Sequence, residues 1–267
     1  MTGTSQRTLT PGAYLKAAAS GGVLSPFADL WGFGGLHGGL SLALMAGAMA
    51  EHAPCRTPQS ATARFHRSIT EPFLLETALG RTGRLLSTAT ARVSSGRGLN
   101  ADATAVFSAA GRGGGLPEAP PAPAAPPPGD CEIFTVLPEF VPVTTHLEIR
   151  PVGPGRPYAG GTEPVLTAWI RMTEDDAPPD AFRLMFLADA LAPSYAAVLT
   201  EPVAVPTVEL TVRPGPGLAR ASSPWILLRA VTHAATPDGW IDERLDAWGP
   251  DGVHLGSAHQ VRVVRTG

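Results

Sequence analysis

The sequence predicts an α+β protein built from two copies of one unit, each a buried helix packed on an antiparallel sheet. Apolar runs long enough to be buried helices occur twice, segments with strand patterning follow each of them, and a Pro/Ala-rich stretch separates the two series. The chain has 267 residues, enough for one large domain or two of ordinary size. The repeated order of elements favours two.

The boundary between the two copies is predicted at residues 111–130, where glycine gives way to proline and alanine. Such a stretch offers almost nothing to a hydrophobic core, so we expect it to run over the surface, partly as polyproline II helix. It divides the chain into an N-terminal unit at 1–110 and a C-terminal unit at 131–267.

In the first unit, a glycine-rich turn at residues 32–39 leads into LSLALMAGAMAEHA, an apolar run long enough to be a buried helix. Three or four antiparallel strands are expected after it. They lie at residues 61–69, on either side of a turn near 80–83, and in the segment GLNADATAVFSA that follows.

In the second unit, two opening strands precede residues 175–180, which offer an N-cap and prolines before a second buried helix predicted at 181–199. Four strands follow, with Asp-Gly pairs at 238–239 and 251–252 that suit hairpin turns. A helix wrapped by an antiparallel sheet is the hotdog unit, and two units can join their sheets into a continuous one. The predicted architecture is therefore a double hotdog.

Composition excludes several classes of partner. The net charge of −3 gives no reason to expect nucleic-acid binding, and no segment is long and apolar enough for a membrane span or a signal peptide. Cys55 and Cys131 are too few and too isolated for a metal cluster, and no histidine pair has ligand spacing, so no metal site is predicted. A disulfide between the two cysteines stays open. We expect a cytoplasmic protein.

The most informative side chain is Asp189, which lies in the apolar segment LMFLADALAP. Burying a charge is costly without a partner or a purpose, so a functional acid is expected there. The alternative is a solvated or capping aspartate near a kink at Pro193. Aligning the two apolar helices by eye places Ala46 or Gly47 at the position of Asp189, which predicts one acidic site, in the second copy.

Two kinds of polar residue on the following strands could assist that acid. Strict alternation places Thr207 and Thr211 on one face of the first strand after the second helix. Gln260, on the last strand, could position a water molecule because its amide both donates and accepts hydrogen bonds. Each has an ordinary alternative, since threonine is common in strands and a lone glutamine is usually a surface residue.

Five segments in this order resemble the acyl-CoA thioesterase II family and its actinobacterial thioesterase-like relatives over nearly the whole chain. They are WGFGGLHGGLSLALMA, ARFHRSITEP, WIRMTEDDAPPDAFRLMFLADALAP, PTVELTV and SAHQVRVVR. The resemblance implies a fused double hotdog that hydrolyses an acyl-CoA or acyl-carrier-protein thioester without a cofactor. It also implies that Asp189, Thr207 and Gln260 hold the hydrolytic water.

Thioester hydrolysis also needs donors for the developing oxyanion, and backbone N–H groups at a helix N-terminus can supply them. Gly38 and Gly39, which open the first helix, are the candidates, although glycines there could simply serve a tight turn and close helix packing. His37, His66 and Thr211 are candidate substrate contacts. The alternatives are a local hydrogen bond for His37 and a satisfied strand histidine for His66.

Two other functions remain open. One is a hotdog hydratase or dehydratase, which is disfavoured because no histidine follows Asp189 in the segment DALAPSYAAVL. The other is an acyl-binding or biosynthetic accessory protein that does not hydrolyse its ligand. Fusion supplies within one chain the pairing that single hotdogs obtain by dimerising, so both a monomer and a homodimer are compatible with the sequence.

Overall fold

The computed structural model describes residues 9–55, 57–108 and 119–265. Within these ranges, three α-helices lie at α1 (Pro11–Ala18), α2 (Gly38–His52) and α3 (Ala181–Leu187). The strands are β1 (Gly22–Leu24), β2 (Pro58–Phe65), β3 (Phe73–Thr82), β4 (Leu86–Ser95), β5 (Gly98–Ser108), β6 (Leu147–Pro151), β7 (Val165–Met172), β8 (Thr207–Pro214), β9 (Ile226–Ala235), β10 (Trp240–Trp248) and β11 (His254–Val263).

These strands form one 11-stranded antiparallel sheet in the order β1-β3-β4-β5-β2-β8-β11-β10-β9-β7-β6. The two halves meet where β2, the first strand after α2, pairs with β8, the first strand after α3. The predicted strands and the predicted continuous sheet are confirmed. The helix α1 and the short strand β1 were not predicted.

Helix α2 lies against the first half of the sheet and is buried on nearly every side. The sheet face beneath it is lined mainly by alanines, and their short side chains allow the helix backbone to lie close to the strands. The buried alanines on β2, β4 and β5 are Ala61, Ala63, Ala89, Ala91, Ala101, Ala103 and Ala105. In the first half, α2 and the sheet are therefore packed close together.

Helix α3 is shorter than predicted. It begins as expected, with the Asp180 carboxylate accepting hydrogen bonds from the backbone N–H groups of Phe182 and Arg183. It ends at Leu187, and a separate 3₁₀ turn follows at Ser194–Val198. Proline has no N–H to donate and disfavours helical geometry in the residue before it, so Pro193 divides the apolar segment. The prediction of a continuous helix was wrong.

Both predicted Asp-Gly hairpin turns are present, between β9 and β10 and between β10 and β11. Gly239 and Gly252 have φ angles of 88° and 78°, in the left-handed region that favours glycine. These turns fix how β10 and β11 lie beside each other, which in turn aligns the polar side chains described below.

The described part of the Pro-rich stretch, residues 119–130, is tied to the outer face of the second half of the sheet. The indole N–H of Trp169 donates to the carbonyl of Pro126, and that of Trp248 donates to the carbonyl of Pro120, each over 2.8 Å. Ala125 packs against a small cluster that includes Cys131, so the stretch contributes more to packing than its composition suggests. Residues 111–118 lie outside the described residues, and the domain boundary stays a prediction.

Cys55 and Cys131 are both free thiols. Among the helices in the described ranges, none combines the length and the apolar character needed to traverse a lipid bilayer.

Candidate active site

Asp189 lies where the end of α3 meets the beginning of α2. It is two residues beyond the last residue of α3, in a turn, rather than inside a helix as predicted. Its Oδ2 atom accepts a hydrogen bond of 2.8 Å from the backbone N–H of Gly39, in the first turn of α2. The positive end of the α2 dipole stabilises a carboxylate at this place, and only 8% of the side chain is exposed.

Gln260 and Thr207 complete a chain of hydrogen bonds to this carboxylate. The amide nitrogen of Gln260 donates to Asp189 Oδ1 over 3.1 Å, and the Thr207 hydroxyl donates to Gln260 Oε1 over 2.9 Å. Gln260 is fully buried. The structure thus brings together the three residues that the family resemblance singled out.

A β-bulge decides which face of β8 carries the site. In the β8–β11 register, Glu209 lies opposite Val261 but Thr207 lies opposite Arg262, so β8 has one extra residue. The bulge turns Thr207 toward the face that carries Gln260. Strict alternation put Thr211 on the same face as Thr207, and this was wrong.

Thr211 therefore points to the opposite face of the sheet, away from Gln260. There it lies beside Thr62 of β2, and the two hydroxyl oxygens are 2.9 Å apart. Its place in the structure indicates a hydrogen bond across the junction of the two halves rather than a substrate contact.

Two buried charged residues beside the trio were missed by the sequence reasoning. Arg262 donates to Thr207 Oγ1 over 2.9 Å and to Glu243 Oε2 over 2.7 Å, and it lies 3.5 Å from Asp189 Oδ1. Arg262 is 5% exposed and Glu243 is fully buried. Alternation along β11 from Gln260 could have indicated Arg262, whereas Glu243 required the register of β10 against β11.

Glu243 also anchors the segment that follows Asp189. Its second carboxylate oxygen accepts a hydrogen bond from the backbone N–H of Ser194, and the Ser194 hydroxyl pairs with that of Thr232 on β9 over 2.8 Å. Ser194 is fully buried. The chain from Asp189 to Ser194 is consequently held at both ends, by α2 at one and by the sheet at the other.

His37 serves as the N-cap of α2. Its Nδ1 accepts from the backbone N–H of Leu40 at 3.3 Å, so its Nε2 carries the proton and donates to the backbone carbonyl of Asp189 at 2.9 Å. Burial lowers the pKa of His37, although the negative charge of Asp189 opposes this effect. The ring is therefore neutral near pH 7, and both nitrogens are engaged within the protein.

His66 directly follows the last residue of β2 and is exposed. Its Nε2 atom lies 2.6 Å from Asp102 Oδ1 on β5. It is not part of the network around Asp189. Within residues 9–55, 57–108 and 119–265, no cluster of three or more histidine, cysteine or acidic side chains is arranged to hold a metal ion.

Gly38 and Gly39 differ in their surroundings. A Cβ atom on Gly39 would lie 2.7 Å from Asp189 Cβ and 2.8 Å from the carbonyl oxygens of Met185 and Phe186, so only glycine permits this approach of α2 to α3. The Gly39 N–H is already bonded to Asp189. The candidate oxyanion donor Gly39 therefore has its N–H occupied by the acid itself.

Gly38 lies directly against the Asp189 carboxylate, which leaves little room for a side chain. A Cβ atom there would lie 2.8 Å from Asp189 Oδ2 and 3.5 Å from the ring of Phe65, a residue that the sequence reasoning did not single out. In the part of the chain that the structure describes, the Gly38 N–H has no hydrogen-bond partner. The backbone of Gly38 therefore lies beside both the Asp189 carboxylate and the Phe65 ring.

Two family models match the two halves of the chain. A family model described as the acyl-CoA thioesterase C-terminal domain matches residues 117–264, and one described as the acyl-CoA thioesterase N-terminal domain matches residues 27–108. The chain belongs to the acyl-CoA thioesterase family. Membership in the acyl-CoA thioesterase family supports acyl-thioester hydrolysis in general and a substrate of the acyl-CoA class.

Solved structures show the same fold. A hotdog protein of unknown function from Alicyclobacillus acidocaldarius is 25% identical, with 92% of this chain and 93% of that chain covered and a TM-score of 0.82. A candidate thioesterase II from Thermobifida fusca is 19% identical, with 94% and 97% covered and a TM-score of 0.79. An acyl-CoA thioesterase II from Mycobacterium marinum is 18% identical, with 86% and 89% covered and a TM-score of 0.69.

No curated protein matches the chain. The double-hotdog prediction is confirmed by the structural similarities.

Proposed function

We propose that the protein hydrolyses an acyl-CoA or acyl-carrier-protein thioester by direct attack of a water molecule, with Asp189 as the general base. The observation that carries this proposal is the Asp189 carboxylate itself, which is buried at a helix N-terminus and oriented by Gln260 and Gly39. General-base catalysis of this kind contributes about 10²- to 10⁴-fold to a rate.

The hydrogen bonds around the carboxylate indicate which oxygen meets the water. Asp189 Oδ1 accepts from Gln260 and lies near Arg262, whereas Oδ2 accepts from Gly39. A carboxylate oxygen has two acceptor sites, so Oδ2 retains one beside Gly38, a half-buried residue whose Cβ, if present, would lie 2.8 Å from this oxygen. We place the attacking water there, while Gln260 and Thr207 keep the carboxylate in a fixed orientation.

In the reaction, the water oxygen forms a bond to the thioester carbonyl carbon as Asp189 Oδ2 takes a water proton. The carbonyl π electrons move to the oxygen. When the tetrahedral intermediate collapses, the carbon–sulfur bond breaks and the sulfur receives the proton from Asp189. The products are a free carboxylic acid and a thiol, and the base is regenerated without any cofactor.

The Gly38 N–H is our candidate donor for the oxyanion. It belongs to the first turn of α2, where the helix dipole favours negative charge, and it has no partner among the described residues. Loss of one such donor typically costs about 10²- to 10³-fold in kcat. Gly39, in contrast, is assigned to hold the base.

The acyl group would have to enter an apolar gap between α3 and the second half of the sheet that is closed to a water-sized molecule in this structure, so the gap must widen to admit an aliphatic chain. This gap begins at Ala188, next to Asp189, and Gly256 and Ser257 border it on β11. Its other lining residues are apolar: Leu184, Val212, Leu228, Leu245, Ala247 and Ala258. An aliphatic chain in this gap would point away from the sulfur, which the CoA or carrier thiol occupies.

The hydratase alternative requires a histidine that exchanges protons with the substrate. His37 is the histidine beside Asp189, at 3.7 Å between Nε2 and Oδ2, but its two ring nitrogens are bonded to Leu40 and to the Asp189 backbone. This arrangement favours hydrolysis with the carboxylate as base.

The test is release of free thiol from a panel of acyl-CoA substrates of increasing chain length. Asp189→Asn keeps the shape and the packing but removes the base, so we expect kcat to fall by about 10²-fold or more. Gln260→Ala removes the amide that orients the carboxylate, so it should also lower kcat. Asp242→Asn is the matched control, because Asp242 is exposed on β10 and pairs with His259 on the other face.

Equal activity of the wild type and Asp189→Asn would refute the assignment of the base. Binding of acyl-CoA by a folded wild-type protein that releases no thiol from any substrate would indicate the accessory function instead. An enoyl product formed from a 3-hydroxyacyl thioester would indicate the dehydratase.

A further inference from the structure

The buried charges around the base form a closed arrangement. Hydrogen bonds run from Arg262 to Thr207, from Thr207 to Gln260 and from Gln260 to Asp189, and Arg262 itself approaches Asp189 Oδ1 at 3.5 Å. The ionised Asp189 carboxylate can only accept hydrogen bonds, and the Thr207 hydroxyl donates to Gln260 Oε1. The amide of Gln260 must then present its NH₂ group to Asp189.

Glu243 competes with Asp189 for the same guanidinium. Arg262 Nε lies 2.7 Å from Glu243 Oε2, a close charge-assisted hydrogen bond, whereas Arg262 Nη2 lies 3.5 Å from Asp189 Oδ1. Glu243 is itself fixed by the Ser194 N–H. The guanidinium is therefore held on the Glu243 side.

We propose that Glu243 and Arg262 are positioning residues that set how readily Asp189 accepts a proton. Arg262 fixes the orientation of the trio and places a positive charge 3.5 Å from the carboxylate, and Glu243 holds Arg262 back from a full ion pair with Asp189. This proposal rests on the proposed function of Asp189 as the general base.

Among the residues that the structure describes, the other charged or titratable group that faces Asp189 is His37 on α2, whose ring is neutral. The local balance therefore consists of two carboxylates, Asp189 and Glu243, and one guanidinium, all at most 8% exposed as side chains. Charges so close together in a buried site interact strongly. Removing either member of the Arg262–Glu243 pair should change the proton affinity of Asp189, and the two removals should act in opposite directions.

The experiment is the pH profile of kcat/KM for thioester cleavage. Arg262→Met removes a positive charge beside the base, so the acidic limb should move to higher pH by about one to three pH units. Glu243→Gln removes a negative charge and frees Arg262 to approach Asp189, so the limb should move to lower pH and kcat at neutral pH should fall. Arg262→Lys keeps the positive charge, so its acidic limb should lie close to the pH of the wild-type limb.

A purely structural role would lower activity in both variants without moving their acidic limbs in opposite directions, and that result would overturn the proposal. Arg150→Met is the matched control. Arg150 is a partly buried arginine that pairs with Glu148 on the outer side of the second half, so its loss should leave the limb in place.

Arg262→Met leaves Glu243 buried without its partner and could fail to fold. The double variant Arg262→Met/Glu243→Gln removes both charges, and its limb should lie between those of the wild type and Arg262→Met. A double-variant limb at the wild-type pH would count against the proposal.

A readout without turnover separates this proposal from the proposed function. The carboxyl carbon of Asp189, labelled with ¹³C and assigned by its loss in Asp189→Asn, can be followed by NMR across the same pH range. If the wild type hydrolyses no thioester but the two variants move this titration in opposite directions, the proposed function fails and the charge coupling stands. An unmoved titration refutes the coupling whatever the activity.

Discussion

Gly39→Ala tests the close contact of α2 and α3 that builds the site. The substitution adds one methyl group at a point where the new Cβ would lie 2.7 Å from Asp189 Cβ and 2.8 Å from two backbone carbonyl oxygens of α3. None of these atoms belongs to a flexible side-chain end that could turn away. The helices must therefore separate.

The size of the effect follows from these distances. Carbon atoms pack best at about 3.5–4.0 Å, so relief of the contact requires a displacement of roughly 1 Å. Overpacking of this kind costs about 1–3 kcal/mol, against a gain of about 1 kcal/mol when alanine replaces glycine in a helix. A misplacement of about 1 Å in an active site can lower a rate about 10²-fold.

Gly47→Ala is the matched control in the same helix. A Cβ atom on Gly47 would meet nothing within 4 Å, so the helix gains alanine's propensity without a clash. We expect Gly47→Ala to raise the free energy of unfolding by up to about 1 kcal/mol and to leave hydrolysis unchanged.

Urea denaturation gives the free energy of unfolding, and thiol release from acyl-CoA gives the activity. We expect Gly39→Ala to be no more stable than the wild type and to lose most of its kcat. If Gly39→Ala gains as much stability as Gly47→Ala and keeps its activity, the contact does not constrain the site and the reasoning fails.

Two further predictions concern stability. Burial lowers the pKa of His37, so the unfolded chain binds a proton at this residue more readily than the folded chain does. The free energy of unfolding should therefore fall as the pH drops below about 6.5. His37→Asn keeps a cap for Leu40 and should weaken this dependence of the free energy of unfolding on pH, as measured by urea titrations at several pH values. Trp248→Phe removes the indole N–H that binds Pro120 and should cost about 0.5–1.5 kcal/mol by the same method. An equal loss in Trp240→Phe, at a residue that is 44% exposed, would contradict that account.

The sequence predicted most of the fold because strand and helix patterns depend on local spacing. Every strand from β2 to β11 overlaps a segment whose alternation or turn residues indicated it. Part of the error at α3 has a visible local cause, since Pro193 excludes one continuous helix, but α3 ends earlier, at Leu187. The error at Thr211 has no such signal, because the bulge that reverses its side is visible only in the pairing of β8 with β11.

The site was predicted only in part, because local spacing identifies some of its residues and not others. Asp189 was recognisable as a charge in an apolar segment, and the resemblance to a family added Thr207 and Gln260. The contacts of Glu243 with Arg262 and Ser194 join residues 19 and 49 positions apart in the chain, which no local pattern encodes. Buried ion pairs between strands become visible only when the register is known.

The hydrogen bond from Gly39 to Asp189 joins the first half of the chain to the second half across the site. If the halves were produced as two separate polypeptides, this bond would form only in a heterodimer, and activity would fall on dilution with the dissociation constant of that heterodimer. When the two halves are covalently connected, their association is intramolecular and no longer depends on protein concentration. For short flexible connections in general, the effective concentration of one half at the other is about millimolar. A single fused chain therefore keeps the contact between Gly39 and Asp189 at any dilution.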